Sequence, residues 1–170
     1  MLCIGHRGAM GHAPENTIAS IRAALELGVD CIEVDVYIVE GYLVVFHDQR
    51  LERTTNGSGF IWDHTFEHLR TLDAGNGEQI PTLSEVCHVI ENRVGLNIEL
   101  KGPGTAVPVV DFITAQTKQG HDKEQFLVSS FDHQALAKVK LLDPALQVGV
   151  LTRELLQTDS RFAANLGAYA

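Results

Sequence analysis

Short apolar runs alternate along the chain with stretches in which apolar residues recur at helical spacing. The runs predict six strands, at residues 2–4, 31–37, 43–46, 96–101, 126–129 and 147–151. The helical spacing predicts helices at about 16–27, 82–94, 108–119 and 132–143, with shorter ones around 66–72 and 161–166. Strands that alternate with helices indicate a parallel sheet covered by helices, closed either as a doubly wound sheet or as a barrel.

Polar residues at the carboxyl ends of four strands distinguish these two folds. The strand ends carry His6, then Glu33 and Asp35, then His47, then Glu99 and Lys101. In a doubly wound sheet helices cover both faces, so such strands are expected to be apolar nearly throughout. A barrel instead builds its active site at the inner carboxyl rim of its strands. We therefore predict the α/β class and a (β/α)8 TIM-type barrel, with about six of the eight βα units in this chain.

The length of the chain is short for a complete barrel of this type. The sequence has 170 residues, whereas such barrels typically need about 250. We expect residues 1–170 to form a single, incomplete barrel domain with two open sheet edges. The rival hypothesis is a protein of this length that closes its sheet by pairing with a second copy, as a homo-oligomer.

The second strand carries two acidic side chains on one face and three aliphatic ones on the other. The α-carbons of Glu33 and Asp35 are about 6.6 Å apart in a strand, so both carboxylates can reach one cation. Glu99 supplies a third carboxylate, and an all-oxygen ligand set favours a hard ion over zinc. The alternative is that Arg7 and Lys101 neutralise these carboxylates as ion pairs.

Two histidines and two cationic side chains belong to the same predicted rim. Imidazole titrates near neutrality, so His6 and His47 can act as a general base and a general acid. Arg7 and Lys101 add groups that bind phosphate. Together with a metal, these residues describe a site for a phosphate ester. Asp48 either orients His47 or caps the following turn, and we favour the structural role.

Composition excludes several other functions. Thirteen Lys and Arg against 22 Asp and Glu give a net charge of −9, which argues against a nucleic-acid binder. No apolar run approaches the length of about 20 residues that crosses a bilayer, so we expect no membrane insertion. We expect no signal peptide from the first residues. The three cysteines, Cys3, Cys31 and Cys87, lack a metal-binding spacing, and we interpret them as buried reduced thiols in a cytoplasmic protein.

Several motifs occur in one order along the chain. They are His6-Arg-Gly8, Pro14-Glu-Asn-Thr17, Glu33-x-Asp35, His47-Asp48 and Glu99-x-Lys101, with connecting segments Arg53-Thr-Thr-Asn-Gly57, Leu72-Asp-Ala-Gly75 and Ser129-Ser-Phe131. From residue 4 to about 151, the sequence resembles the glycerophosphodiester phosphodiesterase family.

The resemblance implies a (β/α)8 barrel that uses one divalent cation, Mg²⁺ or Ca²⁺. It implies hydrolysis of small glycerophosphodiesters to glycerol 3-phosphate and an alcohol. One histidine would deprotonate the nucleophile and the other would protonate the leaving alkoxide. By position in the motifs, the metal ligands are Glu33, Asp35 and Glu99, the acid/base pair is His6 and His47, and the phosphate contacts are Arg7 and Lys101.

Two other functions stay open at this point. One is a phospholipase D-like lyase on the same scaffold, which forms a cyclic phosphate from a lysolipid. The other is a non-catalytic fragment that only binds metal or assembles through its open edges. The final strands of the family, which help to shape the glycerol pocket, have no counterpart in this sequence, so the pocket is expected to be incomplete.

Overall fold

Strands and helices alternate in the computed structural model, which describes residues 1–153 and 157–170. The strands are β1 (Ile4–Gly5), β2 (Cys31–Val39), β3 (Tyr42–Val45), β4 (Gly95–Leu100), β5 (Phe126–Ser130) and β6 (Gln147–Val150). The helices are α1 (Ile18–Glu26), α2 (Phe66–Leu69), α3 (Leu83–Ile90), α4 (Ala106–Lys118), α5 (His133–Leu142) and α6 (Gln157–Leu166). None of the described helices is long and apolar enough to cross a membrane. Each predicted strand and helix has a counterpart, with boundaries that differ by a few residues.

One strand of the sheet runs against the others. Strands β1, β2, β4, β5 and β6 are parallel neighbours in that order, whereas β3 pairs antiparallel with β2. The turn between β2 and β3 has positive φ at Glu40 (50°) and Gly41 (86°). Two positive φ values in a two-residue loop are typical of a tight hairpin, not of a helical crossover. The prediction that β3 belongs to a βα unit of the parallel sheet is therefore wrong.

The hairpin determines how β3 reaches the functional rim. Strand β2 extends as far as Val39, and β3 returns beside it until the Phe46 N–H donates to the Asp35 carbonyl at 2.9 Å. The residue after Phe46 is His47. It is therefore brought to the level of Asp35 although its strand runs in the opposite direction.

Two apolar clusters hold this arrangement together. The larger cluster lies between the parallel strands and the helices, where Val34, Ile98 and Val128 are fully buried. The smaller cluster joins the end of β2 and β3 to the irregular segment 49–80 through Leu51, Ile61, Leu69, Leu72 and Ile80. Fully burying one such side chain stabilises the fold by about 1.5–3 kcal/mol. The second cluster therefore fixes the long connection beside the functional rim.

Reciprocal hydrogen bonds begin two of the helices. Thr17 and Ser20 form a capping box at α1, and Thr82 and Glu85 form one at α3. Thr17 is the N-cap residue of α1. Asn16 precedes the cap with φ 58°, and its side chain contacts Asp35.

The cysteines differ in exposure. Cys87 is buried and Cys31 is half-buried, but Cys3 is exposed, so the prediction of three buried thiols is wrong for Cys3. Cys3 immediately precedes β1, which is the first strand in the order of the sheet. All three thiols are free, as predicted.

Candidate active site

Three carboxylates from two neighbouring strands lie together on one face of the sheet. Glu33 and Asp35 lie on β2 and Glu99 lies on β4, and their ligand oxygens are all within 4.8 Å of one another. The parallel register places Asp35 directly beside Glu99. Asp35 is fully buried, and Glu33 and Glu99 are only 6% and 8% exposed. The spacing that the sequence suggests therefore produces a compact acidic group.

Two cationic side chains contact this group, as the ion-pair alternative expects. Lys101 Nζ is 2.8 Å from Glu99 Oε1 and 3.6 Å from Asp35 Oδ1. Arg7 Nε is 3.6 Å from Asp35 Oδ2. The pairing is incomplete, because Glu33 Oε1 and Asp35 Oδ1 are buried without a hydrogen-bond partner.

The incomplete pairing has an electrostatic consequence at Glu33. Burial, reinforced by the neighbouring charge of Asp35, raises the pKa of the Glu33 carboxyl to about 8. Buried oxygens without partners destabilise the fold unless a cation binds them. Three converging carboxylates with free oxygens are the donor set that Mg²⁺ or Ca²⁺ prefers. The residues present therefore fit a hard divalent cation.

The turn after β1 holds Glu33 in place. The Arg7 N–H donates to Glu33 Oε2 at 2.8 Å, and the Gly8 N–H donates to the Glu33 carbonyl at 3.2 Å. Arg7 and Gly8 both have positive φ, 53° and 77°. A Cβ on Gly8 would lie 2.4 Å from Ser20 Oγ, so only glycine fits this close approach to α1.

Asn16 performs the corresponding function for Asp35. Its Nδ2 donates to Asp35 Oδ2 at 2.9 Å, and the Asp35 N–H lies 3.4 Å from Asn16 Oδ1. The residue is 3% exposed, and its left-handed backbone directs the side chain into the site instead of along the helix. Sequence reasoning missed this role, and the only signal was that Asn16 lies in the Pro14-Glu-Asn-Thr17 motif.

The two predicted acid/base histidines lie in different surroundings. His6 Nε2 is 3.8 Å from Glu33 Oε2, and its side chain is 58% exposed. Burial, followed by the charge of Arg7, lowers the pKa of His6. His47 instead lines a cleft of about 690 Å³ together with Glu99 and Lys101. One histidine is therefore beside Glu33, and the other faces the cleft that opens on Glu99.

Aromatic side chains complete the lining of the cleft. The Tyr37 hydroxyl donates to the His47 carbonyl at 3.3 Å, and burial raises the pKa of Tyr37 to about 12. Phe131 has Lys101 Nζ 6.0 Å and Arg153 Cζ 5.8 Å from its ring centroid. Tyr37 was not predicted as a site residue, although it continues the alternation of Glu33 and Asp35 along β2.

Asp48 contacts the cleft histidine directly. Its Oδ1 is 2.5 Å from His47 Nδ1, and its carboxylate also accepts hydrogen bonds from Arg53. Of the two roles considered for Asp48, the structure has the contact that orients His47. All the site residues predicted from the sequence lie around the acidic group or its cleft: His6, Arg7, Glu33, Asp35, His47, Glu99 and Lys101.

Comparison with known families agrees with this geometry. The sequence model of the glycerophosphoryl diester phosphodiesterase family matches residues 6–169. The chain belongs to this family. A glycerophosphodiester phosphodiesterase of Caldanaerobacter subterraneus is 40% identical over 99% of this chain and 74% of its own length. One from Bacillus subtilis is 34% identical over 86% of this chain and 57% of its own length.

Solved structures of family members show the same fold. A phosphodiesterase from Oleispira antarctica, solved with the product sn-glycerol-3-phosphate, superposes with a TM-score of 0.88 at 35% identity. The match covers 99% of this chain and 72% of that one. For a family member from Galdieria sulphuraria the TM-score is 0.84 at 29% identity, over 97% of this chain and 71% of that one. The likeness confirms the predicted TIM-type fold for the part of the barrel present here.

Proposed function

We propose that the chain hydrolyses glycerophosphodiesters to glycerol 3-phosphate and an alcohol, with one divalent cation, Mg²⁺ or Ca²⁺. The observation that carries the proposal is the buried acidic group with oxygens that lack hydrogen-bond partners, bordered by two histidines and by the cationic side chains of Arg7 and Lys101. Family membership supports the reaction type, and the Oleispira antarctica relative with bound sn-glycerol-3-phosphate supports the product.

In this mechanism Glu33, Asp35 and Glu99 would hold the cation. A divalent ion bound there would supply positive charge that polarises the phosphoryl oxygens and positions the nucleophile. Asn16 and the Arg7 N–H keep two of the three carboxylates oriented toward one point. Preorganisation of this kind lowers the reorganisation that the reaction requires.

The other residues act on phosphate and on protons. Arg7 and Lys101 bind the phosphate oxygens, as a planar fork and as a point charge respectively. His6 and His47 divide the proton transfers, so that one accepts the proton of the nucleophile and the other donates to the departing alkoxide. One histidine is beside Glu33 and the other faces the cleft, so each is placed to carry out one of the two proton transfers.

We also propose that the chain forms one domain and that the protein is cytoplasmic. We assign residues 1–170 to a single phosphodiesterase domain, because one continuous sheet and its helices share the larger apolar cluster. Three free cysteines are typical of a protein in the reducing cytoplasm. The expected partner is a small glycerophosphodiester.

The first test combines metal titration with histidine variants. Release of glycerol 3-phosphate from glycerophosphocholine and related diesters is measured while Mg²⁺ or Ca²⁺ is added to the metal-free chain. We expect no turnover in EDTA and restoration by one of the two ions. His6→Ala and His47→Ala should each lower kcat by about 100-fold or more while metal binding, measured by calorimetry, is kept. His88→Ala, on the exposed side of α3, is the matched control. Full activity in chelator would exclude the mechanism.

The second test separates the two histidines and the two reactions. A p-nitrophenyl ester of glycerol 3-phosphate has a leaving group that departs without protonation. The variant that loses the general acid should therefore recover on this ester, and the variant that loses the general base should not. Phosphorus NMR of the glycerophosphocholine products distinguishes hydrolysis from a lyase reaction, which would yield a cyclic phosphate.

A further inference from the structure

A continuous chain of ion pairs joins the cleft histidine, His47, to Arg7. His47 Nδ1 is 2.5 Å from Asp48 Oδ1, and Arg53 reaches Asp48 with Nε at 2.5 Å and Nη2 at 2.9 Å. The same guanidinium reaches Glu15 with Nη1 at 2.9 Å and Nη2 at 2.7 Å. Glu15 Oε1 then accepts from Arg7 Nη1 at 2.8 Å.

Arg53 lies at the centre of this chain of ion pairs, between the carboxylates of Asp48 and Glu15. Its guanidinium binds two carboxylates from different loops, one 5 and the other 38 residues away in the sequence. Two-point contacts of this kind fix the plane of a guanidinium and the positions of both carboxylates. The contacts of Arg53 with Asp48 and Glu15 therefore couple the loop after β3 to the loop before α1.

The two carboxylates differ from ordinary surface groups. Glu15 and Asp48 have side chains only 13% and 24% exposed. The hydrogen bonds from Arg53 are the main reason that the pKa of each carboxyl falls to about 2. Both groups therefore stay ionised near neutral pH, and each can hold its cationic or imidazole partner in one orientation.

The orientation of His47 has a direct chemical meaning. When Asp48 accepts from Nδ1, the proton of the neutral ring is fixed on Nδ1 and Nε2 is left as the reactive nitrogen. Without that acceptor the ring can rotate and exchange tautomers. Glu15 has the equivalent effect on Arg7, since it holds one nitrogen of a guanidinium that must meet phosphate in a defined plane.

We propose that Arg53 is a positioning residue that aligns His47 through Asp48 and Arg7 through Glu15. The inference rests on the proposed function, in which His47 transfers a proton and Arg7 binds phosphate. Arg53 contacts neither of them directly in the described hydrogen bonds, so its effect passes through the two carboxylates.

The test compares Arg53→Gln, Arg53→Lys and the unaltered chain, all loaded with Mg²⁺ or Ca²⁺. For Arg53→Gln we expect kcat to fall by about 10- to 100-fold, the range for loss of alignment at a reacting group. KM for glycerophosphocholine should rise as well, because Arg7 loses its support. Arg53→Lys should recover only part, since an ammonium cannot bridge two carboxylates in one plane. Added guanidinium should partly rescue Arg53→Gln.

A spectroscopic readout separates alignment from stability. Long-range ¹H–¹⁵N NMR of the His47 ring reports which nitrogen carries the proton. We expect the Nδ1–H form in the unaltered chain and a mixture of tautomers in Arg53→Gln. Arg22→Gln removes the same charge from an exposed position on α1 and should change neither the spectrum nor the kinetics.

The outcomes distinguish this inference from the proposed function. If the unaltered chain hydrolyses the diester but Arg53→Gln has the same kcat, KM and His47 tautomer, the positioning role is wrong. An unchanged tautomer overturns it even when activity falls. If the unaltered chain has no turnover with metal, the proposed function fails, while the NMR comparison still decides whether Arg53 orients His47.

Discussion

Two groups of carboxylates lie within the same site and are held in opposite ways. The interior carboxylates, Glu33, Asp35 and Glu99, are buried. Arg7 and Lys101 form ion pairs with Asp35 and Glu99 only, and one oxygen each of Glu33 and Asp35 lacks a hydrogen-bond partner. The loop carboxylates, Glu15 and Asp48, are each bound by Arg53. Burial raises the pKa of Glu33 to about 8, and Arg53 lowers the pKa values of Glu15 and Asp48 to about 2.

This difference in pairing separates the carboxylates that can bind a cation from those that align neighbouring side chains. Carboxylates without enough partners destabilise the fold on their own, and this makes them ready to accept a cation. Carboxylates that are already paired have no such need, and they can instead hold neighbouring side chains in place. The same functional group therefore serves as ligand inside the sheet and as support in the loops.

The largest effect is expected when an interior carboxylate is neutralised. Glu33→Gln should weaken Mg²⁺ or Ca²⁺ binding by about 100-fold or more, because a ligand is lost. The metal-free variant should be more stable than the unaltered chain. The folded pKa of Glu33 lies above its unfolded value, so ionisation destabilises the fold progressively as the pH rises through the range from 4.5 to about 8. Calorimetry and chemical unfolding measure the two effects, and Glu15→Gln is the matched control that should keep metal affinity. Equal metal affinity in Glu33→Gln would contradict the assignment.

The affinity for metal should depend on pH through the ionisation of Glu33. Below its pKa of about 8, Glu33 is protonated in the metal-free fold, so binding should release up to about one proton. Apparent affinity should then rise by up to about tenfold per pH unit below pH 8 and level off above it. Calorimetry in buffers of different ionisation enthalpy counts the protons. A pH-independent affinity between pH 6 and 8 would show that Glu33 is already ionised.

A smaller loss is expected when the support of Asp35 is removed. Asn16→Gly keeps the left-handed backbone but removes the amide that donates to Asp35. Metal affinity should fall by about tenfold, the lower end for residues that orient a ligand. Asn76→Gly is the matched control, because Asn76 also has positive φ, at 55°, but is exposed in a loop. Tight binding by Asn16→Gly would show that Asp35 needs no such support.

The smallest effect concerns acid stability and the loop carboxylates. Glu15 and Asp48 have folded pKa values of about 2, below their unfolded values of 4.5 and 3.8. Their contribution to stability is therefore present above about pH 5 and is lost as the pH falls toward 2. Arg53→Gln should flatten the decline in stability over this range by about 1 kcal/mol or less, since Arg53 is half exposed. Chemical unfolding at pH 6 and pH 3 measures the difference, and an unchanged decline would mean that Arg53 does not stabilise the ionised carboxylates.

The positions of the interior carboxylates on their strands follow from the sequence alone. Strand alternation places Glu33 and Asp35 on one face whatever the rest of the fold does, because side chains in a strand have a period of two. The apolar run of β4 likewise placed Glu99 and Lys101 at the carboxyl end of that strand. The alternation of strand and helix signals likewise determined the α/β class, since each apolar pattern is local.

How the loops contact this rim depends on tertiary contacts that no local sequence pattern reports. The direction of β3 depended on the two-residue turn at Glu40 and Gly41, which the apolar pattern of β3 does not report. The contacts of Asn16 with Asp35 and of Arg53 with Glu15 join residues 19 and 38 positions apart. Such contacts depend on where folded loops bring side chains together, and no periodicity in the chain encodes them. A strand repeats its geometry at every second residue, whereas a loop has no repeat from which a partner can be predicted.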